Sequence, residues 1–62
     1  MNLKQAFDKV VDFYDGDHWK SWAWYRSYND KLGMSPAEMV KTGKEKKLIE
    51  FIEKRLRDYQ RL

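Results

Sequence analysis

A chain of 62 residues that contains no cysteine has to hold its fold by apolar burial alone. Disulfides and thiolate zinc sites, the usual staples of very small domains, are both out of reach. A chain this short cannot enclose two hydrophobic cores, so one domain spanning residues 1–62 is expected. Ordering each residue costs on the order of 1.5 kcal/mol, and nearly all the apolar surface the chain can hide must therefore be hidden. Three Trp, four Tyr and three Phe meet that demand, because a large ring buries more area than an aliphatic side chain. Self-association or a bound partner is the other route to the same end. The lack of cysteine, of any long apolar run and of a hydrophobic signal segment after Met1-Asn2-Leu3 predicts a cytoplasmic protein that does not enter a membrane.

Hydrophobic spacing is helical throughout, and no strand pattern occurs. Leu3, Phe7, Val10, Val11 and Tyr14 recur on one stripe of a first helix that opens after Asn2 as N-cap. Gly16 is expected to end it in the left-handed conformation and Asp17 to cap the next helix, which makes Asp15-Gly16-Asp17 a tight corner. The second helix, His18 to about Tyr28, carries rings nearly all round. Trp19, Trp22, Ala23 and Arg26 share one side, while Trp24 and Tyr28 point roughly the opposite way. Such a helix is either buried on several sides, with at least two of its tryptophans in the core, or keeps a face for another chain.

Ser35-Pro36-Ala37-Glu38 is the strongest local signal. Ser35 caps the amide three residues on, Pro36 suits the first helical position and Glu38 reaches back to the Ser35 amide. A short helix from Pro36 to about Thr42 follows, closed by Gly43. The last helix runs from Lys44 to the end, with Leu48, Ile49, Phe51, Ile52, Leu56, Tyr59 and Leu62 on a wide apolar stripe. The expected fold is all-α: a small four-helix domain, orthogonal or bundle-like, with a long C-terminal helix.

The chemistry available is narrow. His18 is the one imidazole, no thiol exists, and no serine has a base beside it in the sequence, so neither an enzyme nor any catalytic residue or cofactor is expected. Asp12, Asp15, Asp17 and His18 lack the alternating ligands and closing Glu of a calcium loop and read as helix caps, with no metal. Residues 1–31 balance five Lys/Arg against five Asp, whereas residues 32–62 set eight Lys/Arg against five Asp/Glu. Within that basic half Lys41, Lys44, Lys46 and Lys47 gather near the N-terminus of the last helix, where the helix dipole disfavours positive charge. They are either solvated beside Glu45 or contacts for a phosphate backbone or an acidic partner. Arg55 lies within the last apolar stripe, its stem covering the core edge or its guanidinium reaching a partner. Tyr59, Arg61 and Leu62 have interface-anchor chemistry, although Tyr59 suits the core equally.

From Trp24 onward the order Trp24-Tyr25, Asn29, Leu32-Gly33, Ser35-Pro36, Met39, Val40, Thr42-Gly43 and the Leu48–Leu56 helix resembles the toxin-binding domain of Xre/MbcA/ParS-type bacterial antitoxins. The resemblance covers residues 24–62. It implies an all-helical domain that often self-associates and that neutralises a RES-domain toxin, an enzyme consuming or modifying NAD, by covering its active site with the C-terminal region. It also implies that Trp24, Asn29, Leu32, Gly33 and Pro36 are architectural, and that the module stands here without the helix-turn-helix half of longer members.

The reading that follows is a non-catalytic protein-binding module, antitoxin-like or inhibitor-like. Arg55, Tyr59, Arg61, Leu62 and Trp24 are its partner-binding candidates, chosen by position on their helices. Two alternatives stand beside it. One is a nucleic-acid-binding protein using Lys41, Lys44, Lys46, Lys47 and exposed aromatics. The other is a phage or mobile-element inhibitor of a host factor on the same scaffold.

Overall fold

The computed structural model describes residues 1–60 and consists of four helices, α1 (Leu3–Phe13), α2 (His18–Arg26), α3 (Pro36–Lys41) and α4 (Glu45–Gln60). Arg61 and Leu62 lie outside the described residues. Short polar side chains start the first three helices. Asn2 Oδ1 accepts from the Gln5 amide at 2.9 Å while Gln5 Oε1 accepts from the Asn2 amide at 2.9 Å, a reciprocal box that satisfies two otherwise unpaired donors. Asp17 Oδ1 accepts from the Lys20 amide at the start of α2. The predicted Ser35–Glu38 box forms as well: Ser35 Oγ accepts from the Glu38 amide at 3.1 Å, and Glu38 Oε1 accepts from both the Ser35 amide and its hydroxyl.

The helix ends show where local preference yields to the backbone. α3 closes as expected with Gly43 left-handed at φ 76°; the Gly43 amide donates to the Val40 carbonyl and the Lys44 amide to the Met39 carbonyl, the paired bonds of a Schellman closure. The same pair closes α1, from Asp15 to Asp12 and from Gly16 to Val11, but here the first left-handed residue is Asp15, at φ 57°, with Gly16 following at φ 81°. Gly16 is left-handed as expected, and Asp15 before it joins it there, so an L-residue also takes a strained position. α2 stops at Arg26, two residues before the predicted Tyr28. Ser27 is already extended, and Asn29 forms an isolated antiparallel bridge with Met34. The Asn29 carbonyl accepts from Leu32 and Gly33, and its side chain accepts from the Lys31 amide, so one asparagine organises the whole α2–α3 turn.

α1 packs on α2 and α4, and α3 packs on the same two, while α2 and α4 do not pack against each other. The helices thus form a ring in chain order, closed by the packing of α1 on α4. Ala6 and Val10 of α1, Met39 of α3 and Leu48, Ile49 and Ile52 of α4 make the buried centre, with Leu3, Tyr14, Trp24, Leu32, Met34, Val40 and Leu56 around it. Leu48 is fully buried. Among the described residues no helix is long and apolar enough to cross a membrane.

α2 departs most from expectation. Its one buried residue is Ser21, not a ring, and the Ser21 hydroxyl donates to the Asp17 carbonyl at 2.9 Å, so burial leaves no unpaired polar atom there. Of the three tryptophans only Trp24 packs against the core, whereas Trp22 is 47% exposed and Trp19 84% exposed. The expectation of at least two core tryptophans is therefore corrected. A nine-residue helix at the edge of the ring can turn only one narrow side inward, and that side carries Ser21 and Trp24.

Candidate functional site

Because the backbones of α2 and α4 stay apart across the ring, a groove of about 680 Å³ opens between them. Val10 and Ile52, both buried, lie at its base. Trp24, Tyr28, Asn29, Asp30 and Lys31 line it from the end of α2 and the turn, and Phe51, Arg55, Leu56, Asp58 and Tyr59 from the second half of α4. Phe13 and Tyr14 complete it at the end of α1. The lining is mainly apolar and aromatic, with both signs of charge among the lining residues, Asp30 and Lys31 from the turn and Arg55 and Asp58 from α4.

Three of the five partner-binding candidates meet here. Trp24 is half-buried, with one side on the core, so it serves the fold and lines the groove at once. Arg55 is exposed; it follows Ile52 by three residues, so both lie on the same side of α4 and line the groove together. Tyr59 is 59% exposed yet does not hang free: its ring meets Phe13 edge-on, centroids 5.0 Å apart at 74°, and Phe13 in turn meets Tyr14 at 5.3 Å and 83°. This aromatic chain ties the C-terminal part of α4 to the end of α1 and holds the groove's shape. The other two candidates, Arg61 and Leu62, are outside the described residues.

No protein-family model, curated protein or solved structure matches the chain.

Lys41, Lys44, Lys46 and Lys47 are all exposed, and none of them lines the groove. Lys44 directly precedes α4 and Lys46 and Lys47 lie in its first turn, the unfavourable end for cations, as expected; Lys41 alone is relieved. Lys41 is the final residue of α3, where the helix dipole favours a cation, and Glu45 occupies the first turn of α4, where it favours an anion. Asp17, one of the acidic residues near His18, is engaged as an N-cap. Among the described residues, no group of three or more His, Asp or Glu side chains is placed to hold a metal ion.

Phe13, Tyr28, Phe51 and Lys31 belong to the groove without having been singled out as site residues. Phe13 lies off the buried stripe of α1, and only its meeting with Tyr59 from the other end of the chain reveals its use. Tyr28 becomes a groove residue because the chain leaves the helix before it.

Proposed function

We propose that this protein is a small non-catalytic binding module of the antitoxin or inhibitor kind, which occludes a protein partner with the second half of α4 and the groove beside it. The observation that supports the reading is the convergence of Trp24, Arg55 and Tyr59 on one open, largely apolar groove. Tryptophan, tyrosine and arginine are the residue types that dominate binding energy at protein interfaces, where a few well-placed side chains carry most of the affinity. The mixed charge around the rim suits a partner of matching mixed polarity, and a surface of this kind inhibits by covering the partner's site. The resemblance of residues 24–62 to toxin-binding antitoxin domains names the partner class, a cytoplasmic RES-domain enzyme acting on NAD. A phage-borne inhibitor of a host enzyme would use the same surface and differ only in its target.

The test is an inhibition titration. A RES-domain toxin is assayed for NAD consumption with increasing amounts of the full chain and of Arg55→Glu. Stoichiometric inhibition by the native chain, with at least a tenfold weaker effect of the variant, supports the reading. Unchanged NAD consumption at a large molar excess of native chain rejects the RES partner, and equal potency of the variant rejects the groove as the binding surface.

A further inference from the structure

The outward side of α2 does not take part in the groove. We infer that it is a second binding surface, for single-stranded nucleic acid. Trp19 and Trp22 stand three residues apart on α2 and, with His18 and Arg26, line a shallow cleft of about 280 Å³. Among the described residues no carboxylate lines that cleft, and α2 itself contains Lys20 and Arg26 but neither Asp nor Glu. Asp17, the nearest acid in sequence, has its side chain turned to the Lys20 amide.

The two indoles are held differently. Trp22 is fixed by Phe7, with centroids 5.2 Å apart at 51°, and by Tyr25 edge-on at 5.5 Å and 89°, and it is still 47% exposed. It is a ring oriented by its own fold with surface to spare. Trp19 is 84% exposed and does nothing for the core. Leaving an indole in water forgoes the burial of a large ring, in a chain with little apolar surface to waste.

The chemistry of the surface selects its occupant. A second copy of the chain would set Lys20 and Arg26 against their own kind across a two-fold axis, which like charges disfavour. A lipid surface needs a continuous apolar helix face, and α2 turns Trp24 inward and Trp19 outward. A protein interface needs about 800 Å² per partner, beyond what one half-exposed and one exposed indole with two cationic neighbours present, at ~150–250 Å² for a whole ring. An unpaired nucleotide needs only a ring to stack on and a cation for its phosphate, and Trp19 and Trp22 supply the ring and Arg26 the cation on one short helix.

The experiment is a fluorescence-anisotropy titration of the full chain into a labelled oligothymidylate of about twelve nucleotides, at roughly 50 and roughly 200 mM salt. The native chain binds, more weakly at the higher salt, and a duplex of equal length binds less well. Trp19→Ala, which circular dichroism shows to be folded, weakens binding by about 5- to 150-fold, the range for loss of one base–aromatic stack. Arg26→Ala lowers the salt dependence by about one ion. Absence of binding at low salt overturns the inference. So does a Trp19→Ala variant that binds as tightly as the native chain, or a duplex bound as tightly as the single strand, since charge alone would then explain the affinity. Binding of polyglutamate or of anionic vesicles in place of the oligonucleotide overturns it in favour of an acidic protein or a lipid surface. The proposal is independent of the groove, which neither Trp19 nor Arg26 lines.

Discussion

Ser35→Ala should lower stability by about 1.5 kcal/mol, near the upper part of the 0.5–2 kcal/mol range for an N-cap serine. Three features of the structure set the magnitude. The substitution removes the 3.1 Å bond from the Glu38 amide to Ser35 Oγ and the 3.0 Å bond from that hydroxyl to Glu38 Oε1, so both halves of the box are weakened. Ser35 is only 5% exposed, which hinders water from replacing the lost acceptor. α3 has six residues, too few to persist without its cap and its packing, yet it places the buried Pro36 and Met39 in the centre of the fold. Fraying at Ser35 is therefore felt by the whole domain. At 4–8 °C per kcal/mol for a domain of this size, the melting temperature should fall by roughly 6–12 °C. Thermal unfolding followed by far-ultraviolet circular dichroism measures it, with Glu38→Ala and the double variant completing a cycle. The two single losses should sum to more than the double loss, because each breaks the same box. A Ser35→Ala melting curve within about 2 °C of the native one would refute the claim that this cap holds α3 in place.

Other perturbations probe different parts of the ring. Leu48→Ala removes a fully buried side chain and should cost about 2–5 kcal/mol, enough that urea unfolding finds the variant largely unfolded without denaturant; a cooperative transition near the native midpoint would contradict the assigned core. Asp15 occupies a left-handed conformation, so Asp15→Gly should raise stability by about 0.5 kcal/mol and Asp15→Val should lower it by about 1–2 kcal/mol, an order of midpoints that chemical denaturation can read. Arg55→Glu alters an exposed position and should shift the melting temperature by no more than about 3 °C, the effect of about 0.5 kcal/mol; a larger loss would make Arg55 part of the fold rather than of the binding rim.

What could be read directly from the residues was local. Asn2, Asp17 and Ser35 each bind amides within three positions of themselves, so the partners of such bonds are set by sequence spacing alone. Leu48, Ile49 and Ile52 recur at helical spacing and are buried together; Ala6, fully buried on α1, escaped notice because a small residue carries little hydrophobic signal and earns its place by letting another helix approach. The groove was only partly legible. Trp24, Arg55 and Tyr59 stood out by residue type and helix position, but Phe13 and Lys31 join them through contacts or placements between segments far apart in the chain.

Sequence by itself thus determined that the chain is helical, where three of its helices begin and which side of α4 is apolar, since capping and periodicity act within a turn or two of backbone. Tertiary structure decided which rings are spent on the core. α2 offers tryptophans to every side, and only the ring-shaped arrangement of the four helices turns Trp24 inward, buries Ser21 and leaves Trp19 and Trp22 facing water. Helical periodicity can say which residues share a face; which face meets a neighbour depends on where the neighbouring helices run, and that is settled by packing among residues distant in the chain.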